Sequence, residues 1–158
     1  MNYSFVSFFV MLVVFVSYVL FIWIKYGVQE SISDSYYRLP NNYNFIFTLF
    51  CWGFAIPAIL AGNTLLMFLA GSGIAFVGAA ARFKEIMTKQ VHMIGAFCGV
   101  IFSQLSIFFD FKMWYINVVF IVGALIIILL KKQIKNYTWW IEILAFSLIC
   151  YALGSKLL

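Results

Sequence analysis

Charged side chains are scarce in this sequence: Asp, Glu, Lys and Arg together make up 9% of the 158 residues, whereas 66% are apolar. A soluble domain carries about 25% charged and roughly 45–50% apolar residues. The composition therefore excludes a soluble globular domain. It predicts an all-α, polytopic integral membrane protein, a six-transmembrane-helix bundle that forms one domain over residues 1–158.

Patterns for metal binding and nucleophilic catalysis are also missing. The only histidine is His92, and Cys51, Cys98 and Cys150 each stand alone in a different apolar run. A catalytic zinc usually takes three protein ligands, so this set is a poor one. No glycine-rich phosphate loop or nucleophile elbow occurs either. The sequence therefore predicts no metal and no cofactor, and we expect the cysteines to pack as small apolar side chains.

Six apolar runs match the length that a bilayer crossing requires. The predicted spans are residues 4–24, 45–60, 65–81, 92–109, 113–130 and 138–154. The second and third spans form one uncharged run, which is too long for one crossing and sufficient for two, with a turn at Ala61-Gly62-Asn63-Thr64. The first run lacks a basic leader and a small-x-small cleavage site, so we expect a retained helix and not a signal peptide.

Basic residues are distributed unevenly between the two ends of this bundle. Eight of the ten Lys and Arg residues share one side: Lys25, Arg38, Arg82, Lys84, Lys89, Lys131, Lys132 and Lys135. Because cytoplasmic loops retain Lys and Arg, this side is predicted to be cytoplasmic, with both termini outside and a bacterial inner membrane as the location. Topology and anionic lipid headgroups explain the positive charge, so no nucleic-acid partner is predicted.

Small residues predict a contact between the third and fourth spans, because helices in lipid approach closely where side chains are small. The third span has Gly71, Ala75 and Gly78 on one face. The fourth has a stripe of small and polar residues, namely His92, Gly99, Ser103, Ser106 and Asp110. The first and fifth spans are bulky, and we expect them to face lipid.

Ionisable residues in or beside the spans need an explanation, because such groups are costly near hydrocarbon. Asp34, His92 and Glu142 all fall near the predicted cytoplasmic interface. A polar binding site is therefore predicted at this mouth of the bundle, formed by Ser33, Asp34, Arg38, Arg82, His92 and Glu142. The basic residues Lys131, Lys132 and Lys135 are predicted to attract anionic headgroups.

Each candidate also has a structural alternative. Asp34 could cap a short helix, His92 could be solvated at the interface or hydrogen-bond to a neighbouring helix, and Glu142 could reach water or pair with Lys131 or Arg82. The default use of mid-membrane Ser103, Gln104 and Ser106 is interhelical hydrogen bonding. Asn63 and Asp110 are interpreted as turn residues.

The loop after the first span carries Ile32-Ser33-Asp34, followed by Pro40 and by Phe45 at the start of the second span. This layout resembles the damage-regulated autophagy modulator (DRAM) family, which includes the FGF-receptor-activating-protein proteins and bacterial relatives of unknown function. The resemblance implies six spans, a histidine early in the fourth helix and an acidic residue in the last, the positions of His92 and Glu142. Eukaryotic members are thought to hold this loop outside the cytosol, opposite to the orientation that the charges predict. The sequence also has a more distant likeness to ceramidase-type membrane hydrolases, but it lacks the histidines of those enzymes.

The leading hypothesis is a non-enzymatic membrane component that binds membrane lipids, or a membrane-protein partner, at its cytoplasmic mouth. One alternative is a lipid-modifying hydrolase that uses Asp34, His92 and Glu142. Another is a small transporter, which requires a water-filled cavity that reaches Ser103 and Gln104.

Overall fold

The computed structural model of the chain describes residues 3–82 and 84–157, which form helices joined by short connections. The six α-helices are α1 (Tyr3–Tyr26), α2 (Phe45–Gly62), α3 (Leu65–Ala79), α4 (Ile86–Leu105), α5 (Trp114–Leu129) and α6 (Tyr137–Leu157). Two 3-10 turns, Ser33–Tyr37 and Asn41–Tyr43, lie between α1 and α2. A π-helical turn, Ser106–Asp110, extends α4.

Four of the helical segments are long and apolar enough to cross a membrane: Tyr3–Tyr26, Asn41–Gly62, Thr88–Asp110 and Tyr137–Leu157. The chain is therefore an all-α membrane protein, as the composition predicts. The apolar helices α3 and α5 are shorter. With 15 residues, α3 is only ~22 Å long, less than the ~30 Å of a typical hydrocarbon core.

The helices pack as an open ring in the order α4, α3, α2, α1, α6, α5. The most extensive contact of α4 is with α3, whereas α6 packs on α1 and α5. Although α4 and α5 are consecutive, α5 mainly contacts the π-helical turn that extends α4. The ring is thus closed at the end of the bundle where the π-helical turn contacts α5, and it is open along the side between α4 and α6.

Glycines bring α3 and α4 together, so the predicted contact is confirmed. The predicted face of α3 is wrong, because Gly71 and Gly78 pack against α2 and Gly73 meets α4. A Cβ atom added to Gly73 would lie 2.6 Å from the carbonyl oxygen of Gly95 and 2.6 Å from the amide nitrogen of Gly99. Backbone atoms cannot move aside as a flexible side chain can. The close approach of these two helices therefore requires glycine at this crossing.

The prediction that α1 faces lipid is wrong for one side of that helix. Met11, Phe15, Tyr18 and Ile22 are buried along one face, and the Phe15 ring lies 5.5 Å from that of Phe146 in α6. Bulky side chains pack well when they interdigitate, so a helix without small residues can still join a core. The same prediction holds for α5, whose one buried residue is Ile116.

Two predictions about helix ends have different outcomes. The turn between the second and third spans is confirmed: Asn63 adopts a left-handed conformation with φ 50°, and the Thr64 hydroxyl accepts a hydrogen bond from the amide of Met67 at 3.2 Å. The helix α4 begins at Ile86, before the predicted start of the fourth span at His92, and that start stays a prediction because a helix can extend beyond the hydrocarbon. Helical hydrogen bonding continues through the polar residues that precede the apolar segment.

Candidate functional site at the polar end of the bundle

Three connections meet at one end of the bundle, called here the polar end: residues 27–44, residues 80–82 with 84–85, and residues 130–136. The Nζ atom of Lys84 lies 2.9 Å from Oδ1 of Asp34. The Asn136 side-chain amide donates to the carbonyl oxygen of Val28 at 2.9 Å. The opposite end gathers other connections, since Lys156 donates to the carbonyl oxygen of Gly62. The eight basic residues predicted to share one side therefore lie at or beside the polar end.

Glu142 joins α6 to the connection between α1 and α2. Its Oε2 accepts a hydrogen bond from the backbone amide of Ile32 at 2.5 Å. Ile32 precedes the Ser33–Tyr37 turn, where a backbone N–H has no partner within the turn itself. The predicted pairing of Glu142 with Lys131 or Arg82 is wrong, because the carboxylate turns inward to this amide.

A hydrogen-bonded chain of buried groups holds the carbonyl group of the same residue, Ile32. The Ser35 hydroxyl donates to the carbonyl oxygen of Ile32 at 2.5 Å, and the Tyr18 hydroxyl lies 2.5 Å from Ser35 Oγ. The Tyr18 ring is stacked on Phe50 with a centroid distance of 4.2 Å. Sequence reasoning missed Tyr18, because a tyrosine within an apolar helix carries no signal that distinguishes it from other core aromatics.

Asp34 and Arg38 have separate partners. Asp34 lies inside the 3-10 turn and caps no helix, so that alternative is wrong; instead, its own amide donates to Ser31 Oγ at 3.0 Å. The Asp34 carboxylate pairs with Lys84. Arg38 Nε donates to Oε1 of Gln29 at 3.1 Å, and Gln29 is a buried residue that sequence reasoning did not single out.

Arg82 lies on the exposed surface of the polar end. Its Nε donates to the Tyr36 hydroxyl at 3.2 Å, and its guanidinium lies 3.7 Å from the Glu85 carboxylate. The hydrogen bond to Tyr36, followed by the attraction of nearby negative charge, raises the pKa of Arg82 above its already high usual value. Arg82 is therefore a permanent positive charge beside the Asp34–Lys84 pair.

His92 belongs to the contact between α3 and α4. It is buried, with 4% of its surface exposed, and its Nδ1 donates to the carbonyl oxygen of Ala80 at 3.1 Å. Ala80 directly follows α3, so the hydrogen bond to a neighbouring helix, which was the structural alternative, is confirmed. The structure thus brings Asp34 and Glu142 to the same loop and sets His92 against the end of α3.

A cavity of about 80 Å³ lies beneath this loop. Its polar lining comes from Ser33 and Glu142, and its walls come from apolar residues of α2, α3, α4 and α6. The lining from α4 consists of Ala96, Gly99 and Val100, and the apolar lining from α6 consists of Ala145, Phe146 and Ile149. Ser103 and Gln104 are not part of this lining. The cavity is therefore a mainly apolar space with one carboxylate at its polar end.

The mid-membrane polar residues of the fourth span have mixed outcomes. Ser103 donates to the carbonyl oxygen of Val100 in its own helix, so its predicted interhelical bond is wrong. Gln104 is confirmed, because its side-chain oxygen accepts from Asn117 of α5 at 3.0 Å. Ser106 is also confirmed: its hydroxyl lies 3.2 Å from that of Thr64 and donates to Asp110 at the turn before α5.

Lys131, Lys132 and Lys135 are exposed on the connection between α5 and α6. The attraction of anionic headgroups by these three lysines stays a prediction. Within residues 3–82 and 84–157, no group of three His, Cys, Asp or Glu side chains is placed to hold a metal ion.

No protein-family model, no curated protein and no solved structure matches this chain. The resemblance to the DRAM family therefore stays a prediction, and the geometry of the polar end is the basis for any functional proposal.

Proposed function

We propose that this chain is a non-enzymatic membrane protein that binds a membrane lipid at the polar end of its bundle. The observation that carries the proposal is the cavity between α4 and α6, which has apolar walls and a polar rim. Ligand pockets combine a largely apolar lining with a few placed polar groups. A lipid has the same two parts, a hydrocarbon chain and a headgroup.

The basic residues around the rim support the lipid as ligand. Arg82 and Lys84 lie on the connection between α3 and α4, and Lys131, Lys132 and Lys135 are exposed on a second connection at the same end. Basic residues near a membrane surface attract anionic headgroups, each by about 1 kcal/mol. A membrane-protein partner is the other occupant that such a rim suits.

The roles of the ionisable groups favour binding over catalysis. Asp34 pairs with Lys84, Glu142 accepts from the Ile32 amide, and His92 bonds to the Ala80 carbonyl. Each contact stabilises a loop or a helix crossing. A hydrolase would need these groups directed at one reacting atom.

We also propose that all six helices cross the membrane, with the polar end in the cytoplasm of a bacterium and both termini outside. Successive connections alternate between the two ends of the bundle, which supports an even number of crossings. The short helix α3 packs between α2 and α4, and a bilayer adapts to a short span at modest cost.

Native mass spectrometry of the purified full chain tests lipid binding. We expect wild-type protein to carry one lipid per chain after mild detergent exchange. Ala145→Phe fills the cavity and should remove that lipid, whereas Ala124→Phe on the peripheral helix α5 is the matched control and should retain it. A wild-type chain that carries no lipid under any gentle condition would contradict the proposal.

A further inference from the structure

We infer that the cavity takes one acyl chain of a phospholipid with a primary ammonium headgroup, and that this chain enters sideways between α4 and α6. The inference rests on the proposed lipid binding and specifies its ligand and its route. It follows from the opening of the helix ring, the direction of the cavity and the charges at its end.

The opening lies on the lipid-facing side of the bundle. Since α4 packs on α3 and α6 packs on α1 and α5, the facing surfaces of α4 and α6 stay apart next to the cavity. Small residues line the cavity on both helices, with Ala96 on α4 and Ala145 on α6. Val100, at the edge of α4, is 37% exposed. A hydrocarbon chain can therefore reach the cavity without leaving the bilayer.

The cavity runs along the helices. Its lining on α6 extends from Glu142 to Ile149, a rise of about 10 Å along a helix. A lipid chain in a bilayer lies in this same direction, with its headgroup towards the membrane surface. Its volume of about 80 Å³ accommodates a few chain carbons and is too small for a helix from a partner protein, which is ~10 Å wide.

A carboxyl group at the polar end of the cavity selects the headgroup. Glu142 lines the cavity and is hydrogen-bonded to the loop that carries Asp34. One oxygen of Glu142 accepts from Ile32, and no group among the described residues donates to the other. An ammonium group supplies both the missing donor and a charge opposite to that of a carboxylate, whereas a phosphate alone supplies neither.

The neighbouring cations suit the remaining part of the same headgroup. Lys84 pairs with Asp34, and Arg82 lies two residues earlier on the same connection. A carboxyl group that lines the cavity, with cations on a neighbouring connection, is the complement of a headgroup in which ammonium and phosphate are joined by a short linker. Phosphatidylethanolamine has this structure. Phosphatidylglycerol has the phosphate without the ammonium.

Titration of the purified full chain with dioleoyl phosphatidylethanolamine and, separately, dioleoyl phosphatidylglycerol tests the headgroup, with the bound fraction read by native mass spectrometry. We expect wild type to prefer the ethanolamine lipid by about tenfold, the effect of one strong charge-assisted contact. Glu142→Gln keeps an oxygen for the Ile32 amide but removes the charge, and it should reduce the preference to about twofold or less. Glu30→Gln, an exposed residue of the same loop, is the matched control and should keep the tenfold preference.

Val100→Trp tests the route, because it places a large ring at the opening from an exposed position. We expect at least a tenfold loss of lipid binding, while Val122→Trp, on the exposed face of α5, should bind as wild type does. Both substitutions lie outside the core, so both chains should fold.

The outcomes separate the two proposals. Equal binding of the two lipids by wild type, with loss in Val100→Trp, would overturn the headgroup assignment and leave lipid binding intact. Lipid binding unaffected by Val100→Trp would overturn sideways entry. Absence of binding for both lipids in wild type would overturn the proposed function itself.

Discussion

The carboxylate of Glu142 accepts a hydrogen bond from the backbone amide of Ile32 at 2.5 Å, although the two residues are 110 positions apart in the chain. This bond fixes the α1–α2 connection onto the last helix. It also directs the carboxylate to the top of the cavity, so that one side chain contributes to both the stability of the loop and the charge of the site.

Replacement of Glu142 by leucine should destabilise the protein by about 1–3 kcal/mol, because the Ile32 amide loses its acceptor in a partly buried position. Glu142→Gln retains an acceptor oxygen and should cost less than half as much. Unfolding in mixed detergent micelles, followed by circular dichroism, measures both. Equal losses for the leucine and glutamine variants would contradict the role of this hydrogen bond.

Gly73→Ala should destabilise the bundle by about 1–3 kcal/mol, because the new methyl group meets backbone atoms of α4 and forces the helices apart. The matched control is Gly53→Ala in α2, where the added Cβ would lie 3.3 Å from a side-chain methyl of Val14 that can shift. This control should be neutral or slightly stabilising, since alanine favours helix more than glycine does. Thermal unfolding of the two variants in the same detergent provides the comparison.

The Tyr18 and Ser35 hydroxyls should act as one unit. Tyr18→Phe and Ser35→Ala are each expected to cost about 1 kcal/mol, and the double variant should cost less than their sum, because either change breaks the same hydrogen bond. Unfolding free energies for the four chains of this cycle give the coupling. Strict additivity would mean that the two hydroxyls do not stabilise the loop jointly. Tyr43→Phe, at an exposed tyrosine, is the control for loss of a hydroxyl.

Cysteine labelling should locate the polar end. In a background with Cys51, Cys98 and Cys150 replaced by alanine, Lys132→Cys should react with an impermeant maleimide only when the cytoplasmic face is accessible. Lys112→Cys should react from the outside of intact cells, because the two lysines lie at opposite ends of the bundle. Labelling of both from the same face would contradict the six crossings. The reverse pattern would instead match the orientation that the DRAM resemblance implies.

Helix number, the α2–α3 turn and the α3–α4 contact were predictable because each depends on local composition. Hydrophobic length sets the span, Asn63 and Thr64 are turn and cap residues by their own chemistry, and glycine on a membrane helix indicates close packing. The basic distribution likewise predicted which connections share an end.

The partners of the site residues were not predictable to the same degree. The Glu142–Ile32 bond involves a backbone amide, and every residue except proline has one, so no residue type identifies the partner. The buried face of α1 also escaped prediction, because Phe15 and Tyr18 in an apolar helix look the same whether they meet lipid or protein. The order of helices around the ring, which creates the cavity, depends on such contacts.

The adjacency of α1 and α6 has a consequence for how the molecule is made. The ribosome synthesises α1 before α6, so the face of α1 that meets Phe146 lacks this partner while the residues between the two helices are made. During this interval we expect lipid to occupy the place of α6 and to leave when α6 docks. Chains truncated before residue 142 lack the Glu142 carboxylate. In these chains the α1–α2 connection should therefore not be held against the bundle.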